Sequence, residues 1–199
     1  MIILGLDTAL GACSVALVAD GVTLAHEHRI MTRGHAEALA PMVQALMRKS
    51  GLDFAALDGI AVTTGPGTFT GQRVGLAFAR GLRVALNKPA IGVTTLEVMA
   101  EEALTKLQTS WAIAAADAKR GEIYLGARSA KGETLIAPEL IGLDAIAARV
   151  AALAKTHGGG VALAGTAAEA IALLLTQAGM QPVDSLVRQP DAIFVAKLA

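Results

Sequence analysis

Residues 62–82 read VTTGPGTFTGQRVGLAFARGL: the end of an apolar run, a glycine-rich turn, then small residues recurring every four positions. The run Gly59 to Val62 predicts a strand. Thr64-Gly65-Pro66-Gly67-Thr68 predicts a turn, because glycine admits backbone angles that a side chain forbids. Thr68 and Thr70 can each offer an N-cap oxygen to the helix that follows. Four-residue spacing puts Gly71, Gly75 and Ala79 on one helical face, where another helix could approach closely. Arg73, Arg80 and Arg83 form a basic line on the same helix. A P-loop needs Lys then Ser or Thr after its last glycine, and Gln72-Arg73 follows Gly71, so that motif is excluded. Two readings stay open: a tight turn that aims a packed helix, and a phosphate cradle.

The chain has 199 residues, 54 % of them hydrophobic, enough core for one domain or two small lobes. A formal net charge of +0 and a pI of about 6.9 leave no global positive field for non-specific nucleic-acid binding. One Trp, one Tyr and four Phe supply few stacking platforms for single strands, so any RNA would be held mostly by a partner. The single cysteine, Cys13, excludes an internal disulfide and suits a reducing compartment. Asp7 interrupts the apolar start and no basic leader precedes it, so neither signal peptide nor membrane span is expected and the cytoplasm is the expected location.

Outward from the glycine turn, the pattern repeats. Ile2 to Asp7, Cys13 to Ala19 and Val22 to Arg29 read as a strand meander with a turn at Gly11, followed by a helix over 34–49 with Leu39, Met42, Val43, Leu46 and Met47 on one side. Pro41 must kink that helix or mark its first turn. After the glycine segment come a strand at Ala90 to Val93 and a helix at Thr95 to Leu107. The second half restarts with Ile113 to Asp117, a turn ending at Gly121, Glu122 to Arg128 and Thr134 to Ile136. Gly121 stands at the same offset from Gly11 as Asp117 from Asp7. A helix over 143–154, a strand over 161–164 and a helix opened by Gly165-Thr166 complete a worn second copy. Such a doubled unit resembles the two-lobed actin-like ATPase, sugar kinase and heat-shock protein (ribonuclease H-like) superfold, an α/β architecture, here with a degenerate second lobe. Its first hairpin turns point at nucleotide phosphates across an inter-lobe cleft. The expected lobes are 1–104 and 105–199.

Five segments narrow the resemblance: LGLDTALGACSVAL (4–17), His35-Ala36-Glu37 with Leu39-Ala40-Pro41, TTGPGTFTGQRVGLAFARGL (63–82), GVTTLE (92–97) and DAKRGEIY (117–124). Together they resemble the TsaB (YeaZ-like) family, accessory proteins in the synthesis of threonylcarbamoyladenosine in transfer RNA. The resemblance implies a non-catalytic scaffold that activates a TsaD-like threonylcarbamoyltransferase, forms a homodimer when alone, is joined by a TsaE-like ATPase, and meets tRNA indirectly through the complex. It places the partner surface on the N-terminal lobe. Met42, Leu46 and Met47 on one helix and Gly71, Arg73, Val74, Gly75, Phe78, Ala79 and Leu82 on the next are the expected contacts.

Each chemical alternative has its own residues. No two of His26, His28, His35 and His157 stand four apart, so a His-x-x-x-His metal pair is missing and no metal cofactor is expected, although His26 and His28 share one side of a strand. Cys13 and Ser14 follow a tight turn without a GxSxG elbow, which leaves a hydrolase reading last. Nucleotide binding is the contender. The turn from Asp7 would offer backbone N–H groups to phosphate and Asp7 would hold magnesium through water, with Thr8, Gly11 and Ser14 beside it. Ala9, Leu10 and Ala12 occupy the positions where a cation or amide would help, so no cofactor is required, with ATP or ADP possible at an inter-lobe site. Lys119 and Arg120 could neutralise phosphate in the second turn. The rival function is an ATP-binding phosphotransferase or ATPase.

Overall fold

The computed structural model describes residues 1–119, 121–158 and 160–199. The chain forms two compact units, residues 1–98 with 190–199, and residues 99–189. The division falls inside a helix and the last ten residues return to the first unit, which corrects the expected lobes of 1–104 and 105–199.

In the first unit, β1 (Ile2–Asp7), β2 (Ala12–Ala19), β3 (Val22–Ile30), β4 (Gly59–Thr63) and β5 (Ala90–Val93) make a sheet of order β3-β2-β1-β4-β5. β1 to β3 form the antiparallel meander, while β4 lies parallel to β1 with Leu6 opposite Val62. α1 (His35–Ser50) and α2 (Phe69–Leu86) cover one face. Alternation along β1 decides which side chains go where. Leu4 and Leu6 join Leu39, Met42, Leu46 and Met47 of α1, whereas Ile3 points to the other face with Val18, Ala61 and Val93. That second face is covered by α6 (Ala192–Lys197), through Val195 and Ala196. Gly5 is required beneath it, because a Cβ there would stand 2.2 Å from the Ala192 carbonyl oxygen. α1 runs through Pro41 as one helix and ends at Gly51, whose left-handed backbone lets its N–H cap the Arg48 carbonyl.

The second unit repeats the plan. After α3 (Thr95–Leu107) come β6 (Trp111–Lys119), β7 (Glu122–Ser129), β8 (Thr134–Gly142), α4 (Ile146–His157), β9 (Gly160–Ala164), α5 (Ala168–Gln177) and β10 (Gln181–Asp184). Its sheet runs β10-β9-β6-β7-β8, the same order of equivalent strands as the first. Trp111, Ile113, Leu125, Val150, Leu163 and Ile171 fill its core. β10 and α6 were not foreseen: β10 carries Pro182 and is half exposed, and α6 has six residues, too few for a periodic signal. Among the described residues no helix is long and apolar enough to cross a membrane.

Candidate functional site

Asp7 ends β1 fully buried. Its Oδ1 accepts the Thr63 hydroxyl at 2.6 Å and the Ala9 N–H at 3.2 Å, while Oδ2 has no partner among the described residues. Burial pushes the carboxyl up to about 7, against the lowering effect of Thr63 and Ala9. The turn that follows is closed by the glycine segment. Thr68 N–H donates to the Ala9 carbonyl at 2.8 Å, and the Thr8 hydroxyl donates to the Gly71 carbonyl at 2.7 Å. Bare backbone is needed for this approach: a Cβ on Gly67 would lie 2.3 Å from the Ala9 oxygen, and one on Gly71 2.1 Å from the Thr8 oxygen. Thr68 is also the N-cap of α2, accepting from Gly71 N–H at 3.1 Å, whereas Thr70 lies within the helix.

The face of Gly71, Gly75 and Ala79 therefore packs on the first hairpin turn of its own unit. Gly75 meets Thr8 and Val62, and all three positions are buried. Met42, Leu46 and Met47 are likewise inside the unit's core, at most 3 % exposed. For these six residues the expectation of a partner surface is corrected, because an apolar α1 face and a side-chain-free α2 face are what the unit's own sheet and turn require. Of the expected interface, Arg73 is exposed, and Val74, Phe78 and Leu82 are half-buried. Beside them stand two apolar side chains that the sequence reading passed over, Phe69 at 71 % exposed and Val84 at 82 %. Arg73 lies over the Phe69 ring, 3.6 Å from its centroid.

The four residues expected to face nucleotide make internal contacts. Asp7 and Thr8 hold the glycine segment as described, the Gly11 carbonyl accepts Met31 N–H at 3.0 Å, and the Ser14 hydroxyl accepts Ala192 N–H at 3.0 Å. A pocket of about 440 Å³ opens beside the turn between the starts of α1 and α2, lined by Leu10, Arg33, His35, Glu37, Thr70 and Val74 among others. One Arg and one Glu give it no strong preference for an anion. In the second unit the loop that opens α5 bonds to the strand instead, with Ala167 N–H on the Ala115 carbonyl of β6 at 3.0 Å and Asp117 N–H on the Thr166 hydroxyl at 3.0 Å. Asp117 is exposed and bonded to the backbone and ammonium of Lys119, both at 2.7 Å, which hold its carboxyl below the ordinary value. Lys119 is thus paired, and Arg120 lies outside the described residues.

Cys13 is buried in β2 with its thiol pushed up to about 11 by burial, so it is no nucleophile at neutral pH. Asp191, the N-cap of α6, meets His26 and His28, a grouping that strand spacing alone could not show. Burial raises its carboxyl, but His26, the Ile193 N–H and His28 outweigh that and hold it low.

Two sheets of matching strand order, each an antiparallel three-strand meander extended by two parallel strands, define the kinase-like class of fold. A hexokinase of the ROK family from Thermus thermophilus superposes with a TM-score of 0.58 over all of this chain and 98 % of its own, at 17 % identity, which speaks for the fold alone. The chain belongs to the family described as "TsaD: tRNA N6-adenosine threonylcarbamoyltransferase", whose model matches residues 28–195. It is similar to the tRNA threonylcarbamoyladenosine biosynthesis protein TsaB of Escherichia coli K12, 43 % identical over 124 residues, 62 % of this chain and 53 % of that protein. It also superposes on a Pseudomonas aeruginosa protein described as uncharacterized with similarity to peptidase YEAZ, with a TM-score of 0.81, 30 % identity, and coverage of 99 % of this chain and 89 % of the other. The resemblance to TsaB (YeaZ-like) proteins is thereby established. The chain spans about half the length of the curated relatives it matches.

Proposed function

We propose that this chain is a non-catalytic accessory subunit that activates a TsaD-like threonylcarbamoyltransferase acting on tRNA. The observation that carries the reading is the closure of the first hairpin turn: its Ala9 carbonyl and Thr8 hydroxyl are bonded to the glycine segment, its Ala9 N–H is taken by Asp7, and Asp7 itself is sealed against Thr63. A turn built to hold phosphates would keep its polar groups open to them. The second unit is the degenerate partner in the duplication, with Asp117 neutralised by its own neighbour. No cofactor is required of this chain, and nucleotide bound near Asp7 would be held weakly.

The partner surface is the outward side of α2, with Phe69, Arg73 and Val84 at its centre and Val74, Phe78 and Leu82 at its margin. Aromatic and Arg anchors of this kind are common at interface centres. The same surface serves self-association when the partner is absent. A TsaE-like ATPase completes the assembly in the cytoplasm, and tRNA is met through the complex.

The test is co-expression with the TsaD-like subunit of the same organism, with copurification and the threonylcarbamoyladenosine content of tRNA as readouts. Wild type is expected to copurify with that subunit and to restore the modification in depleted cells. Val84→Asp and Arg73→Glu are expected to fold normally and to weaken capture at least about tenfold. Undiminished capture by both variants overturns the surface. No capture by wild type, together with ATP turnover by the isolated chain, overturns the function in favour of a phosphotransferase.

A further inference from the structure

His26 and His28 stand two apart on β3, so both imidazoles leave the same side of the strand. α6 packs on this part of the sheet and brings its N-cap, Asp191, to both rings. His26 Nε2 lies 3.0 Å from Asp191 Oδ1, and His28 Nδ1 lies 3.7 Å from Oδ2. One donor atom from each of the three residues falls within 4.8 Å of the others.

The 3.0 Å separation is that of an ion pair, and both separations are also within reach of a shared ion. A zinc-like ion holding nitrogen and oxygen at about 2.0–2.2 Å with tetrahedral angles keeps its donors about 3.3–3.5 Å apart, and the two observed separations, one to each carboxylate oxygen, lie close to that span. Both ring nitrogens are buried, and apart from the Asp191 carboxylate neither has a partner among the described residues, so two imidazoles share one carboxylate. The carboxylate is fixed from behind. Asp191 Oδ1 accepts Ile193 N–H at 2.8 Å, and the adjacent Ala192 N–H is anchored on Ser14 at 3.0 Å, the kind of outer support that orients a metal ligand. The side chains retain 18–28 % exposure, enough for water to reach a fourth position.

We propose that His26, His28 and Asp191 form a site for a divalent transition metal of the zinc type, completed by water, which clips α6 to β3. Two imidazoles and one carboxylate favour such an ion over magnesium or calcium, which take oxygen ligands. The site is structural in position: it joins the last helix to the sheet edge.

The experiment titrates Co²⁺ into the tag-free full chain stripped with chelator, reading ligand-field absorption, then adds Zn²⁺ and measures Tm. Visible bands of tetrahedral Co²⁺ that Zn²⁺ abolishes, with a Tm raised by Zn²⁺, are expected. Even outer-shell partners contribute about 10–100-fold to metal affinity, so His28→Gln and Asp191→Asn should each weaken binding by more than about 100-fold. Asn still caps a helix, and His26→Gln gives the same reading should Asp191→Asn not fold. His157→Gln, outside the cluster, should bind as wild type. Absence of bands, or binding that survives in both His28→Gln and His26→Gln, overturns the proposal and leaves an ion pair alone.

Discussion

Thr63 at the end of β4 donates its hydroxyl to Oδ1 of Asp7 at the end of the neighbouring β1, 2.6 Å away and out of contact with solvent. A buried carboxyl with one satisfied and one orphan oxygen favours its protonated form, which is why the group sits at about 7 rather than 3.8. Across that interval the folded state binds the proton more tightly than the unfolded chain. The contribution of Asp7 to stability is therefore greatest below about pH 4, falls as pH rises towards 7, and is flat above. Asp7→Asn removes this slope. Denaturant titrations at pH 5.5 and pH 8 should show wild type losing stability relative to the variant, by about 2 kcal/mol. Equal pH dependence in the two proteins would refute the assignment.

The glycines of α2 are predicted to separate into two kinds. Gly71 has Thr8 carbonyl oxygen and Thr68 hydroxyl at 2.1 and 2.6 Å from where a Cβ would stand, whereas Gly81 has nothing within 4 Å. Gly71→Ala must push backbone against backbone and should cost about 1–3 kcal/mol. Gly81→Ala, on the exposed side of the same helix, should stabilise by about 0.5–1 kcal/mol. Urea midpoints for the pair check the assignment of the inner face.

That assignment marks the limit of what the sequence conveyed. Strand, turn, cap and helix were legible at the glycine segment because each is a local signal: glycine and proline for the turn, Thr68 for the cap. The apolar side of α1 was legible too, down to Met42 and Met47. What covers a small-residue face was not, since glycine admits a helix and a bare turn equally. The true neighbour, Thr8-Ala9, comes from the far end of another strand. The same reason hides Asp191 from His26 and His28, and hides the return of α6 to the first sheet, because no short-range pattern records which distant element closes a core.

Cys13 should resist alkylation. Its thiol is buried and pushed up to about 11, so at pH 8 iodoacetamide should leave the native protein unmodified over a period in which the chain in concentrated denaturant reacts completely, as followed by intact mass. Rapid native labelling would place the thiol at the surface and revive a nucleophilic role. Cys13→Ala should in turn leave the proposed activation of the TsaD-like subunit unchanged, provided the variant folds.

The return of α6 carries the last prediction. Val195 is fully buried against Ile3, Val18, Ala61 and Val93, on the face of the sheet opposite the α1-facing side chains of β1, β2 and β4. Without α6 this side of the sheet would present branched side chains to water. Truncating Val195 to Ala removes contacts on a face that backbone cannot move to refill, since Gly5 already lies against the Ala192 carbonyl. A loss of about 1–3 kcal/mol is expected, while Lys197→Ala on the exposed side of the same helix should stay within about 0.5 kcal/mol. Because the helix belongs to the first unit, Val195→Ala should speed hydrogen exchange in β1 and β4 and leave β6 and β9 of the second unit as they are. Uniform acceleration across both sheets would show that the two units unfold as one, and that α6 acts on the whole chain.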